Sequence, residues 1–152
     1  MSVEGKKNNS IKVTKYCIES SKINKELSML LVCDNHDVYS KEWFKNIDTP
    51  DYIFVAGDFI LGRKIEGMPY EESWTKLCPN SFEMLKDLTT LAPVYLSLGN
   101  HEWGLGDEDI NIIRDMGITV LDNEYVRLLN NIVVGGLTSG LTTNISRSEE
   151  RF

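Results

Sequence analysis

Three short stretches of this sequence carry residues able to do chemistry, and each follows an apolar run. Asp34-Asn35-His36-Asp37 follows the run at 29–33, Gly57-Asp58 the run at 52–56, and Gly99-Asn100-His101-Glu102 the run at 94–98. Asp34 and His36 are two apart, so a locally extended backbone is expected to turn both side chains to one face. A carboxylate beside an imidazole is a donor pair suited to Mn, Fe or Zn. The Asp58 carboxylate has two oxygens and can bridge two cations, and Gly57 before it permits a tight turn or a close approach. Asn100 follows Gly99 and adds a neutral amide oxygen, which keeps a cation site from gathering excess negative charge. His101 and Glu102 complete the group. The chain has only 2 histidines, and both stand in these stretches rather than scattered over the surface.

The elements that must position these groups are legible around them. Short runs rich in β-branched and aromatic residues, cut off by glycine or by acidic residues, read as buried strands. Ligands beyond the carboxyl ends of such strands are the habit of open α/β sheets. Ile11, Val13 and Tyr16 or Ile18 suggest an edge strand leading into the first run. Ser40 is placed to cap a short helix presenting Trp43, Phe44 and Ile47 on one face. A loop over 61–79 leaves room for a helix at 70–77. Asn80 with Glu83 three residues on has the spacing of a capping box, opening a helix that buries Phe82, Leu85 and Leu88. Asp107 is placed to cap a further helix with Ile110, Ile113 and Met116 inward and Gly117 at its end. Short strands are expected near 118–121, 125–128 and 132–134. This order predicts a layered α/β fold with parallel central strands.

Composition bounds the function. A chain of 152 residues suits one domain with a hydrophobic core. With 16 basic against 23 acidic residues the net charge is −7, which argues against a nucleic-acid patch or an anionic membrane surface. A phosphate site remains open, because bound cations reverse the local field. Three cysteines without a C-x-x-C spacing fit neither a disulfide framework nor a zinc ribbon, and a cytoplasmic setting is expected. No stretch approaches the roughly 18 apolar residues of a membrane span. Residues 1–10 are polar and read as a disordered tail, leaving 11–152 for the domain.

The order Asp34-x-His36, Gly57-Asp58, Gly99-Asn100-His101-Glu102 resembles the signature of the calcineurin-like metallophosphoesterases, over roughly residues 11–140. Pro50-Asp51-Tyr52-Ile53-Phe54-Val55-Ala56-Gly57-Asp58 and Ala92-Pro93-Val94-Tyr95 look like that family's second and third motif strands. The resemblance implies a layered β-sandwich-type fold flanked by helices. It implies two divalent metal ions, Mn, Fe or Zn. Asp34 and His36 would hold the first, Asp58 would bridge, and Asn100 would hold the second. His101 would act as acid or transition-state stabiliser, and Glu102 would orient the site without binding metal. The reaction implied is two-metal hydrolysis of a phosphomonoester, phosphodiester or pyrophosphate.

The family's signature continues with a further histidine and a Gly-His-x-His motif, whereas no histidine follows His101 here. Ile132-Val133-Val134-Gly135-Gly136 resembles the strand that opens the family's second half. The chain is therefore expected to be the N-terminal part of such a domain, truncated after its first half, with an incomplete second metal site. Two readings follow. Either a separate segment carrying the missing histidines completes a working phosphoesterase, or the chain is a non-catalytic remnant that binds a metal or a partner.

Overall fold

The computed structural model describes residues 11–62, 73–129 and 132–139. The tail expected at 1–10 and the polar stretch beyond 139 lie outside the described residues. Four strands, β1 (Met29–Val32), β2 (Tyr52–Val55), β3 (Val94–Ser97) and β4 (Thr119–Leu121), form one sheet in that order, every neighbouring pair parallel. Helices α1 (Trp74–Leu77), α2 (Pro79–Thr89) and α3 (Asp107–Asp115) lie in the crossovers. A hairpin of β5 (Glu124–Arg127) and β6 (Val133–Gly136) follows, and its pairing is antiparallel.

The register Leu30↔Ile53↔Val94 and Val32↔Val55↔Leu96↔Val120 puts these side chains on one face of the sheet. That face joins Phe82, Leu85 and Leu88 of α2 and Ile110 and Ile113 of α3 in a single core. The opposite face carries Leu31, Phe54 and Tyr95 in one row, with the rings of Phe54 and Tyr95 5.9 Å apart. There β1 is the open border, and its Leu31 is 65% exposed.

Four local expectations differ from the structure. Residues 11–27 form no strand, and Val13, Tyr16 and Ile18 are exposed. Alternating apolar residues become a strand only where a neighbouring edge accepts them. Residues 41–46 form consecutive turns instead of a helix, with i→i+3 bonds such as Trp43 N–H to Ser40 O at 2.9 Å. So short a segment gains few helical bonds for a costly nucleus. Tyr39 organises it instead, edge-on to Trp43 and stacked on Phe44.

The Asn80–Glu83 box does not open α2. Pro79 begins the helix, and Glu83 pairs with Lys41 at 2.8 Å. The cap comes from far away in sequence: Asp37 Oδ1 accepts Ser81 N–H at 2.8 Å. Helix α3 starts after Gly106, whose N–H is taken by Asp109 Oδ2 at 3.0 Å, so Asp107 is its first residue and not its cap. Of the helix expected at 70–77, the described part is Trp74–Leu77.

Candidate metal centre

Because the central strands are parallel, their carboxyl ends share one edge of the sheet, and all three chemical stretches leave from it. Strand pairing continues into the loops. Asp34 N–H reaches Gly57 O at 3.4 Å, His36 N–H reaches Asp58 O at 3.2 Å, and Asp37 N–H reaches Phe59 O at 2.9 Å. The backbone there is not extended. Asp34, His36, Asp37 and Asp58 have φ of 54°, 44°, 59° and 53°, the left-handed region that aspartate and histidine enter more readily than most residues. The side chains are aimed by this left-handed path and not by strand alternation, which corrects the extended geometry expected for Asp34 and His36.

The glycines bring β2 and β3 together past their ends. Gly57 has φ +82°, and a Cβ there would lie 2.5 Å from Gly99 Cα. A Cβ on Gly99 would in turn lie 2.6 Å from Asp58 N. The two loops are in backbone contact, and only glycine fits.

Glu102 fastens that contact. It sits in a 3₁₀ helix spanning Asn100–Gly104 and is 1% exposed. Its Oε2 accepts Gly99 N–H at 2.7 Å and Asp58 N–H at 2.8 Å, while Oε1 accepts Phe59 N–H at 2.9 Å and Ile60 N–H at 3.2 Å. The consecutive N–H groups of Asp58, Phe59 and Ile60, beginning at a left-handed residue, form a concave nest of the kind that holds anions. Burial pushes the Glu102 carboxyl above its usual range, the N–H groups of Asp58, Ile60 and Gly99 pull it back, and the Asp58 charge raises it again. All four partners donate, so the ionised form is the one this cradle satisfies.

On the solvent side, His36, Asp58 and His101 converge, with one donor atom from each lying within 4.8 Å of the others. The imidazole centroids are 4.3 Å apart. Each ring is held from behind by backbone: His36 Nδ1 is 3.3 Å from Ile60 O, and His101 Nδ1 is 3.0 Å from Leu61 O. A carbonyl only accepts, so both Nδ1 atoms carry the proton and both Nε2 atoms are left basic. Asp58 Oδ1 also accepts His101 N–H at 3.0 Å, which ties the carboxylate to the third stretch. The His36 imidazole and the Asp58 carboxylate are donors that fit a divalent cation of the Mn, Fe or Zn kind, and the His101 ring stands against them.

The other site residues stand around this trio. Asp34 does not join it; its exposed carboxylate faces Cys33, where its hydrogen bond, ahead of burial and of the Asp34 and Asp58 charges, pushes the thiol up. Asn100 is exposed and lines a hollow of about 330 Å³ with Gly62, His101 and Trp103. A larger hollow, of about 510 Å³, lies where β3 begins, lined by residues such as Thr89, Pro93 and Met116 without an ionisable group, and has no chemistry to offer. No sequence expectation assigned a role to Ile60, Leu61, Gly62, Asp37 or Trp103. The carbonyls of Ile60 and Leu61 left no signal to find, whereas Gly62 and Trp103 stood in plain view as a glycine and an aromatic flanking the chemical stretches.

An open parallel sheet with this donor set past its carboxyl edge is an α/β domain built around a candidate divalent-cation centre. The chain belongs to the calcineurin-like phosphoesterase family, whose model matches residues 30–148. No curated protein matches it. Among the described residues no helix is long and apolar enough to cross a membrane.

Proposed function

We propose that this chain hydrolyses a phosphate ester at a divalent-cation centre, and on its own only weakly, because its donor set for a second cation is thin. His36 and Asp58 would hold a first cation with Asp34 beside them, and Asp58 and Asn100 would offer a thinner donor set for a second. The observation that carries this reading is the convergence of His36, Asp58 and His101 within 4.8 Å in a member of a phosphoesterase family. A bound divalent cation supplies Lewis acidity toward the phosphoryl oxygens and the attacking water.

The remaining work falls to the chain's own side chains. His101, its Nδ1 held by Leu61 O, lines the hollow and is the group that passes a proton to the leaving oxygen. Asn100 lines the same hollow. Glu102 touches no substrate; it holds the backbone of Gly99 and Asp58 in place.

Calorimetric titration with Mn tests the centre. Affinity is expected to fall more than about tenfold in His36→Ala and in Asp58→Asn, as for a lost ligand or its support. Hydrolysis of bis(p-nitrophenyl) phosphate with Mn is expected to disappear in His101→Ala. Cation affinity indifferent to His36→Ala and Asp58→Asn would overturn the reading. Binding without turnover would leave a metal-binding module in place of an enzyme.

A further inference from the structure

The hollow beside His101 has a wall with no part in binding a cation. Trp103 is 52% exposed, yet its indole is fixed, with Nε1–H donating to Gly62 O at 2.6 Å. A second tryptophan shows that such a tether does not require exposure. Trp74 donates Nε1–H to Gly104 O at 2.8 Å and is only 5% exposed. Trp103 thus presents an ordered ring to solvent where the protein has the means to bury one.

The Gly62 backbone touches both rings, its O taking the Trp103 N–H and its Cα lying against the His101 imidazole. Gly62 has φ +69°, and a Cβ there would lie 2.7 Å from the His101 ring. Among the described residues the hollow is lined by an indole, the side-chain-free backbone of Gly62 and an imidazole, with Asn100 alongside. Its volume of about 330 Å³ is at the lower end of small-molecule sites, which run from about 300 to 1,000 Å³. The complement of such a slot is a planar ring, which keeps its contact with an aromatic wall at little entropic cost.

We propose that Trp103 is a specificity-determining residue, and that the slot selects phosphate esters whose leaving group carries a planar aromatic ring close to the ester oxygen. The ring lies along the indole while the phosphoryl group reaches His101 and Asn100. This rests on the phosphoesterase reading above and extends it to the substrate class.

The test compares equilibrium binding of phenylphosphonate and methylphosphonate to the full chain with diamagnetic Zn present, read by calorimetry and by the Trp103 indole N–H resonance. Phenylphosphonate is expected to bind about tenfold more tightly, the order of a single aromatic stack, and to shift that resonance by its ring current. Trp103→Ala should abolish the preference, and Trp103→Phe, which keeps a ring, should retain part of it. Adenosine 5′-monophosphate against ribose 5-phosphate separates the two sources of such a ring. A preference there too assigns a nucleotide, and its absence assigns a simple aryl ester. Equal affinity for the two phosphonates, or a preference that persists in Trp103→Ala, overturns the stacking role while leaving the phosphoesterase reading intact. Failure of both phosphonates to bind overturns that reading and this proposal together.

Discussion

Glu102 accepts the backbone N–H of Asp58 at 2.8 Å, so the carboxylate that positions the centre is 44 residues from the carboxylate it positions. With Gly99, Phe59 and Ile60 bound to the same group, one buried side chain sets the spacing between the second and third chemical stretches.

Glu102→Gln is expected to be costly despite its near-identical volume. An amide brings N–H against backbone N–H and orphans at least two of four donors, at about 1–3 kcal/mol each. The midpoint of denaturant unfolding should drop accordingly, and Mn affinity should fall although no ligand has been changed. A variant with wild-type stability would show that the cradle is dispensable.

Gly57→Ala should be worse for the centre than for the helices. The positive φ alone costs about 1–3 kcal/mol for a residue with a Cβ, and the new methyl would collide with the backbone at Gly99. Amide exchange is expected to quicken first around 57–60 and 99–102, with α2 and α3 retaining more of their protection. Uniform loss of protection would contradict this local reading.

Tyr39 is expected to make stability fall at high pH. Burial, then its hydrogen bond to Asp87 Oδ2 at 2.6 Å, raises the phenol above its ordinary value of 10.0. A raised folded-state value contributes stability that is complete below the unfolded value and is lost as pH rises through the folded one. Chemical denaturation between pH 8 and pH 11 should therefore show a decline beginning near pH 10 that Tyr39→Phe reduces. At pH 7 that variant should cost about 1 kcal/mol for the lost hydrogen bond.

Cys78 reports opening of the core. It is buried, and burial pushes its thiol up to about 11 even though a backbone hydrogen bond with Leu61 acts the other way, whereas Cys17 and Cys33 are exposed. Alkylation at pH 8 should modify Cys17 and Cys33 in the native protein and reach Cys78 only at the rate of core opening. Prompt labelling of Cys78 would mean that the core around α2 opens freely.

The sequence by itself determined the strands of the central sheet. Tyr52-Ile53-Phe54-Val55 and Val94-Tyr95-Leu96 are continuous apolar runs, local information written in side chains, whereas the face that meets α2 and α3 was decided by packing. Phe82, Leu85 and Leu88 likewise announced the buried stripe of α2, and the polar residues after each apolar run marked the edge where the chemistry gathers. What folding alone decided are relationships between distant groups, many of them backbone. Asp37 caps a helix 44 residues away, the carbonyls of Ile60 and Leu61 orient two imidazoles, and left-handed turns carry His36 and Asp58 into one trio while Asp34 stays outside it. Carbonyl and N–H groups are the same in nearly every residue, so no letter records which of them meet. Their pairing follows from the register of the parallel strands and the contact of Gly57 with Gly99, which exist only once the sheet has closed.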